Sequence, residues 1–213
     1  MDHPIRGNPR VLDRIFAATT TKRGGEAPAC DPAIIRTPIK APLIERFIAE
    51  AVAAGMHITR TTRDALPEGV QTLRKRISIA PVLLDPALDR THPALRAHLA
   101  DCLADPTDDE LFAADLAVLS AESAIAETGS IVRIAAPDRP RSFALVPMTI
   151  IIVLHASLIV ADLYDWLAGQ PPDRMPSELV LITGPSKSSD IGMMLVTGVH
   201  GPGVVHVVVV IDA

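Results

Sequence analysis

The sequence predicts an α/β fold in which helices flank a mixed or mostly parallel sheet. About seven short apolar runs, rich in Val and Ile, alternate with segments whose apolar residues recur at helical spacing. The 213 residues are 48% hydrophobic and only 3% aromatic, so the core consists mainly of Ala, Val, Ile and Leu. Strands that are covered on both faces have this composition. No internal repeat or low-complexity linker interrupts the pattern, which favours one layered domain.

The N-terminal half predicts an arm followed by alternating helices and strands. Residues 1–38 are rich in Pro, Gly, Thr and Arg and are expected to form a helical arm and loop, whereas residues 39–213 form the main domain. Apolar spacing from Ala41 indicates an amphipathic helix that ends at Gly55. Next come a strand over 56–62, a short helix from Pro67, a strand over 77–84 that Pro81 interrupts, and a helix over 92–103.

The C-terminal half supplies most of the predicted sheet. Residues 142–161 contain no Asp, Glu, Lys or Arg and are long enough to span a bilayer. Because their centre is β-branched, and because Pro147 and His155 interrupt them, we favour two buried strand segments that join near His155. Strands are expected over 116–119, 131–134, 143–146, 149–154, 179–182 and 204–211, and a helix over 159–168.

Composition restricts the classes of function. The formal net charge is −5 and no run of Lys or Arg alternates with aromatic residues, which argues against a nucleic-acid partner. Cys30 and Cys102 are the only cysteines, too few for an iron–sulfur cluster or a Cys-rich zinc site held by this chain alone. Neither has a nearby His or hydroxyl constellation, so both are expected to be small buried apolar residues. Together with the missing signal peptide, they predict a reducing cytoplasm.

One candidate site follows the strand over 179–182. A Gly-Pro turn is followed by serines and one lysine, Lys187. Such a segment can present free backbone N–H groups at the start of a helix. Such a turn suits a phosphate or a carboxylate, although Ser186 or Ser188 can equally cap a helix whose dipole Asp190 complements. The spacing is not that of a P-loop. The candidate ligand-binding residues are Gly184, Pro185, Ser186, Lys187, Ser188 and Asp190.

A second polar turn lies at residues 127–130. Glu127 can act in general acid or base chemistry, while Thr128, Gly129 and Ser130 can orient a ligand. The alternative is an ordinary hairpin turn with a solvated carboxylate. Ligands of open α/β sheets bind above the carboxyl ends of strands, so we expect this turn and the Gly184 turn to face one crevice there.

The histidines provide a third group of candidates. His200 can act as an acid, a base or a hydrogen-bond donor at neutral pH, and its neighbour Gly201 is expected to contact the ligand. His155 is expected to be a hydrogen-bonded core residue, and His206 a packed or edge position of the last strand. No H-x-H or H-E-x-x-H spacing occurs, so no metal site is predicted. Surface positions are expected for His3, His57, His92 and His98.

Four motifs resemble those of the LUD-domain family, in particular its lactate-utilisation protein C branch. They are A-E-T-G-S at 126–130, L-V-P at 145–147 with His155 downstream, residues 184–191, and G-V-H-G-P at 198–202. The match is close over the C-terminal half and is limited to the order of elements in the N-terminal half. Two positions depart from the family pattern: Ser188-Ser189 stands where Thr-Ala is typical, and Gly192 stands where an acidic residue is usual.

The resemblance implies a fold like that of the ribose-phosphate isomerase, glucosamine-phosphate deaminase and CoA-transferase superfamily, many of whose members bind anions over strand ends. It also implies a three-protein system that oxidises L-lactate to pyruvate, in which a different subunit holds the iron–sulfur clusters. The first hypothesis is a cytoplasmic component of that system that binds a small anion or a partner subunit through the three loops. One alternative is a stand-alone enzyme for a phosphorylated or CoA-linked metabolite, with Glu127 as nucleophile or base and His200 as acid. Another is a non-catalytic scaffold.

Overall fold

A computed structural model of the chain describes residues 39, 42–77, 81–170, 178–189 and 195–211, and the arm expected at 1–38 lies outside these ranges. The α-helices of the described part are α1 (Leu43–Ala53), α2 (Leu66–Ile77), α3 (Ala87–Thr91), α4 (Pro93–His98), α5 (Asp108–Ala113) and α6 (Leu163–Ala168). Its strands are β1 (His57–Thr61), β2 (Val82–Leu84), β3 (Leu116–Ser120), β4 (Ser123–Ile125), β5 (Ser130–Ile134), β6 (Thr149–His155), β7 (Ile159–Val160), β8 (Leu179–Ile182), β9 (Lys187–Ser189), β10 (Leu195–Thr197) and β11 (Val204–Val210).

A five-stranded parallel sheet forms the centre of the domain. Its strand order is β1-β11-β6-β3-β2, and every neighbouring pair is parallel. Successive side chains of a strand point to opposite faces, so the unbroken apolar runs of β6 and β11 supply two cores. In β6, Ile150 and Ile152 enter one core together with α1, while Ile151 and Val153 enter the other together with α2 and α4. The central sheet is therefore buried on both faces, as predicted.

A second sheet covers the same face as α1. Its order is β7-β4-β5-β8, and β4 and β8 run in the same direction because each pairs antiparallel with β5. Ala124, Ile131 and Ile182 from this sheet join the core that contains α1. A separate antiparallel pair consists of β9 and β10. The predicted α/β class with a mostly parallel sheet and flanking helices is confirmed, with the addition that a small sheet helps to cover one face.

Several predicted elements differ from the structure. A strand over 143–146 is wrong, because Arg141–Ala144 form a 3-10 helix that follows Pro140. Ile77 belongs to helix α2 and not to the strand expected over 77–84, of which the structure describes Val82–Leu84; residues 78–80 lie outside the described ranges. The helix expected over 92–103 is limited to Pro93–His98. The strand β4 was not predicted, since three residues are too few to show an alternating pattern.

The uncharged segment at 142–161 contains two buried strands. β6 and β7 are joined by a 3-10 turn at Ala156–Leu158, directly after His155. This confirms the interpretation as two strand segments that join near His155. The helix expected over 159–168 is wrong at its start, because Ile159–Val160 form β7 and the helix begins at Leu163. In the described ranges, no helix combines the length and the apolar character that a bilayer crossing requires.

Candidate functional site

The turn at 127–130 connects β4 to β5. Its backbone is tied to the segment after β7, because the Ala126 amide donates to the Val160 carbonyl and the Glu127 amide to the Ala161 carbonyl, at 2.9 Å and 3.0 Å. The Glu127 side chain is half-buried and that of Thr128 is exposed. The turn is thus held firmly while a carboxylate and a hydroxyl reach its surface.

Gly129 allows this turn to approach helix α1. Its φ is +67°, in the left-handed region that favours glycine. A Cβ added there would lie 2.3 Å from the backbone nitrogen of Ala51 and 2.6 Å from the carbonyl carbon of Glu50. Any side chain at this position would therefore displace the turn from the helix.

The second stretch, at 184–188, approaches the end of the same helix. Gly184 has a φ of +98°, and an added Cβ would lie 2.4 Å from the carbonyl oxygen of Ala54. Pro185 and the Nζ of Lys187 lie beside Gly55, which follows α1, at 3.5 Å and 3.8 Å from the position of an added Cβ. A cation at the C-terminal end of a helix complements the helix dipole.

The interpretation of this stretch as a helix start is wrong. Lys187 and Ser188 belong to strand β9, which pairs with β10. The backbone amide of Ser186 donates to the Pro202 carbonyl at 2.8 Å, so it is not available to an anion. The Gly-Pro turn follows strand β8 and leads into β9, which pairs antiparallel with β10. Asp190 lies outside the described residues, as does Gly192.

The two predicted turns meet through their hydroxyl groups. The Thr128 Oγ1 lies 2.7 Å from the Ser130 Oγ, which in turn lies 2.6 Å from the Thr183 Oγ1. Ser130 is buried. Both turns follow the carboxyl ends of strands in the small sheet, β4 and β8. The turns that lie more than fifty residues apart in the sequence are thus adjacent, as the expected common crevice requires.

The loop that contains His200 and Gly201 adjoins the second turn. The Gly198 amide donates to the Ser186 carbonyl at 3.0 Å, and an added Cβ at Gly201 would lie 3.4 Å from the Ser186 Cβ. The His200 side chain is exposed. The Gly203 amide donates to the Met148 carbonyl at 2.8 Å, immediately before β6 and β11 begin. The loop therefore lies at the amino edge of the central sheet, since it leads directly into β11.

Sequence analysis missed a buried polar cluster at the carboxyl edge of the central sheet. Asp85 follows β2, Ser120 ends β3, and Arg133 lies in β5. The Asp85 Oδ2 accepts from the Arg133 guanidinium at 2.7 Å and from the amide and hydroxyl of Ser120 at 3.0 Å and 2.9 Å. The side chains of Asp85 and Arg133 are 0% and 3% exposed. Among the described residues, the Oδ1 of Asp85 has no hydrogen-bond partner.

A histidine pair lies at the same edge. His155 ends β6, and its Nε2 lies 2.9 Å from the Nε2 of His92, with the two rings nearly parallel. The hydrogen-bonded position predicted for His155 is confirmed, whereas the surface position predicted for His92 is wrong, because His92 is only 6% exposed. A local pattern could not reveal this pair, since its members are 63 residues apart.

His206 and Cys102 are packed within the fold and are not part of the two turns. His206 in β11 stacks on His57 in β1 with ring centroids 4.7 Å apart, which confirms a packed strand position. Burial lowers the pKa of His206, and the charges of His57 and Arg76 lower it further. Cys102 is buried, and that burial raises the pKa of its thiol to about 11. A protonated buried thiol fits the expected apolar role. His3 and Cys30 lie outside the described residues.

No group of three or more His, Cys, Asp or Glu side chains in the described part of the chain could hold a metal ion. The side chains at the two turns supply hydroxyl groups, one half-buried carboxylate and one lysine. Those at the carboxyl edge supply a buried ion pair and a hydrogen-bonded imidazole pair. The first set reaches solvent through Glu127, Thr128 and Lys187.

Comparison with known proteins gives related sequences over part of the chain. The LUD domain model matches residues 44–210. Uncharacterized protein YkgG of Escherichia coli K12 is 39% identical over 94 residues, which cover 42% of this chain and 41% of that protein. Lactate utilization protein C of an Exiguobacterium species is 38% identical over 104 residues, or 46% of this chain and 45% of that protein. The protein of the same name from Bacillus licheniformis is also 38% identical over 104 residues, covering 46% and 43%. These alignments span less than half of each relative.

One solved structure has a similar fold. The crystal structure of a DUF162 family protein from Deinococcus radiodurans matches with a TM-score of 0.55 and 22% sequence identity. The match covers 82% of this chain and 99% of that one. At this identity the likeness supports the α/β fold and nothing finer.

Proposed function

The chain belongs to the LUD-domain family, and on that premise we propose that it is a component of an L-lactate utilisation system. The observation that carries the proposal is its similarity to relatives named lactate utilization protein C. In this proposal the chain works in the cytoplasm with partner subunits, one of which supplies iron–sulfur clusters. This chain holds no such cluster alone, since its two cysteines are too few.

The proposed ligand site consists of the two adjoining turns and the His200 loop. Three features support it: the hydroxyl chain through Ser130, the half-buried carboxylate of Glu127, and the exposed cation of Lys187. Hydroxyl groups and a lysine bind the oxygens of a small anion, and a carboxylate accepts a hydrogen bond from a hydroxyl group of the ligand. The proposed contacts from the sequence are Thr128, Gly129, Ser130, Gly184, Pro185, Ser186, Lys187, Ser188, Asp190 and Gly201, with Glu127 and His200 as the acid–base pair.

Gene deletion in the host tests the role in lactate utilisation. A strain that lacks the gene, and that has no redundant pathway, should lose growth on L-lactate and keep growth on pyruvate, since the proposed step precedes pyruvate. The gene supplied on a plasmid should restore growth. Undiminished growth on L-lactate without the gene would refute the proposal.

Point variants test the proposed site separately. Glu127→Gln and Lys187→Gln should restore growth on L-lactate less well than the wild-type gene, because each removes a charge at the turns while changing little volume. Glu68→Gln and Lys75→Gln are matched controls, since both side chains are exposed on α2, which contacts the other face of the central sheet. Full growth with all four variants would show that the two turns are not needed for growth on L-lactate. It would not contradict the proposal that the chain is a component of the lactate-utilisation system.

A further inference from the structure

Met148 connects two of the sequence motifs at the amino edge of the central sheet. It directly follows the L-V-P motif and precedes β6. Its carbonyl accepts from the amide of Gly203, which directly follows the G-V-H-G-P motif, at 2.8 Å. Met148 is 50% exposed, so a small oxidant in solution can reach its side chain. We propose that Met148 is a site of reversible oxidation by hydroperoxides, and that its sulfoxide shifts the loop over 198–203.

The thioether of Met148 packs against the two glycines that begin and end this loop. A Cβ added at Gly198 would lie 2.8 Å from the Met148 Sδ and 3.1 Å from its Cε, and a Cβ added at Gly203 would lie 2.8 Å from the same Sδ. The added Cβ at Gly198 would also lie 3.5 Å from the Gly203 Cα. The sulfur therefore lies where the two ends of the loop meet, in space that a side chain at either glycine would take.

Backbone hydrogen bonds also hold the loop, and oxidation of a side chain does not remove them. The Gly198 amide donates to the Ser186 carbonyl at 3.0 Å, and the Ser186 amide donates to the Pro202 carbonyl at 2.8 Å. Val199 and His200, which lie between these bonds, are exposed. A change at the Met148 sulfur is therefore expected to move the loop locally without unfolding it, and the exposed ring of His200 can report the movement.

Oxidation changes both the size and the polarity of this contact. The Met148 sulfur attacks one oxygen of a hydroperoxide, the O–O bond breaks, and a sulfur–oxygen bond forms. The sulfur gives up two electrons to the hydroperoxide, and the proton of the transferred oxygen moves to the departing oxygen, which leaves as water or an alcohol. A sulfoxide oxygen directed at the glycines needs room that the contact lacks. An oxygen directed at solvent makes an apolar group polar beside them, so either position weakens the contact.

The change can be reversed, and the chain supplies its own comparison. A thiol-dependent methionine sulfoxide reductase oxidises two thiols to a disulfide, releases the sulfoxide oxygen as water and restores the thioether. Such an enzyme needs access to the side chain, which Met148 provides. Of the six methionines in the sequence, the structure describes Met56 and Met148, and Met56 is only 3% exposed. Met56 is therefore the buried control for the exposed Met148.

The oxidation of Met148 is independent of the proposed function, because it is measured without lactate and without a ligand. Treatment of the purified full chain with hydrogen peroxide, followed by peptide mass spectrometry, tests it. Met148 should gain an oxygen atom roughly tenfold faster than Met56, since oxidation of the buried residue requires local opening of the core. Methionine sulfoxide reductase with dithiothreitol should then remove that oxygen from the folded protein. Equal rates at the two residues, or a Met148 sulfoxide that the reductase does not remove, would overturn the proposal.

NMR of the histidine rings tests the effect on the loop. Oxidation of the wild-type protein should shift the ring signal of His200, which its absence in His200→Gln assigns, and the reductase should return the signal to its original position. Met148→Leu keeps the side chain apolar and similar in volume and should abolish the shift, although the other methionines are still exposed to the oxidant. Met56→Leu is the matched control and should shift as wild type does. An unchanged His200 signal in the oxidised wild-type protein, or the same shift in oxidised Met148→Leu, would overturn the proposal.

Discussion

The two polar regions of this domain are built in opposite ways. At the turns, the distinctive residues are consecutive in the sequence, and the glycines among them are required for contact with the end of α1. At the carboxyl edge, Asp85, Arg133 and the pair of His92 and His155 come from distant segments and are brought together by the parallel sheet. A glycine-rich turn is easy to recognise in a sequence, and here it marks close backbone packing. The buried polar residues at the carboxyl edge, by contrast, belong to no motif that is local in the sequence.

Because the ion pair of Asp85 and Arg133 is buried, we expect the largest loss of stability from a change at the carboxyl edge. Asp85→Asn removes the negative charge opposite Arg133 and leaves the guanidinium buried without its counter-ion. Breaking a buried pair in this way lowers the free energy of unfolding by about 3–5 kcal/mol. Urea denaturation followed by circular dichroism measures it.

Two controls accompany this variant. Arg141→Ala breaks the exposed pair with Glu178 and should cost less than about 1 kcal/mol. The double variant Asp85→Leu with Arg133→Met removes both charges and should be more stable than Asp85→Asn. Equal losses of unfolding free energy in Asp85→Asn and Arg141→Ala would show that the buried pair stabilises the fold no more than an exposed pair does.

The next largest effect is expected at the turn. Gly129→Ala places a Cβ within 2.3 Å of the Ala51 nitrogen at a φ of +67°, so both strain and displacement from α1 follow. We expect a loss of about 2–4 kcal/mol in the free energy of unfolding. Gly69→Ala is the control, because its added Cβ meets nothing within 4 Å and the residue lies inside α2, where alanine stabilises a helix by about 0.5–1 kcal/mol. A Gly129→Ala protein as stable as wild type would contradict the packing role.

The central sheet could be predicted from the sequence because its strands have uninterrupted apolar runs. β6 and β11 are buried on both faces, so nearly every residue in them is Val, Ile or Leu. The 3-10 helix at Arg141–Ala144 could not be separated from a strand by periodicity, since four residues are too few to show a period. His92 lies in a polar local sequence, and its burial depends on contacts that form only when β6 is in place.

The hydroxyl chain between the turns has a smaller expected effect. Ser130→Ala removes the buried oxygen that contacts Thr128 and Thr183, and leaves both partners to find other hydrogen bonds. Thermal and urea unfolding should show a loss of about 1–2 kcal/mol. Ser157→Ala changes an exposed serine and should be neutral within about 0.5 kcal/mol. No difference between the two variants would mean that the chain of hydroxyls does not hold the turns together.

The smallest effect concerns pH at the amino edge, where His206 stacks on His57. Because burial lowers the pKa of His206 in the folded state below its ordinary value of 6.5, the unfolded chain takes up the proton first as the pH falls. The resulting stability is present above pH 6.5 and is lost as the pH decreases through the lowered folded-state pKa. His206→Gln should therefore flatten the decline in the free energy of unfolding between pH 7 and pH 5, measured by urea titrations across that range. His98→Gln, which changes an exposed ring on α4, should leave the decline as it is in wild type; the same flattening in both variants would show that the decline does not come from the stacked pair.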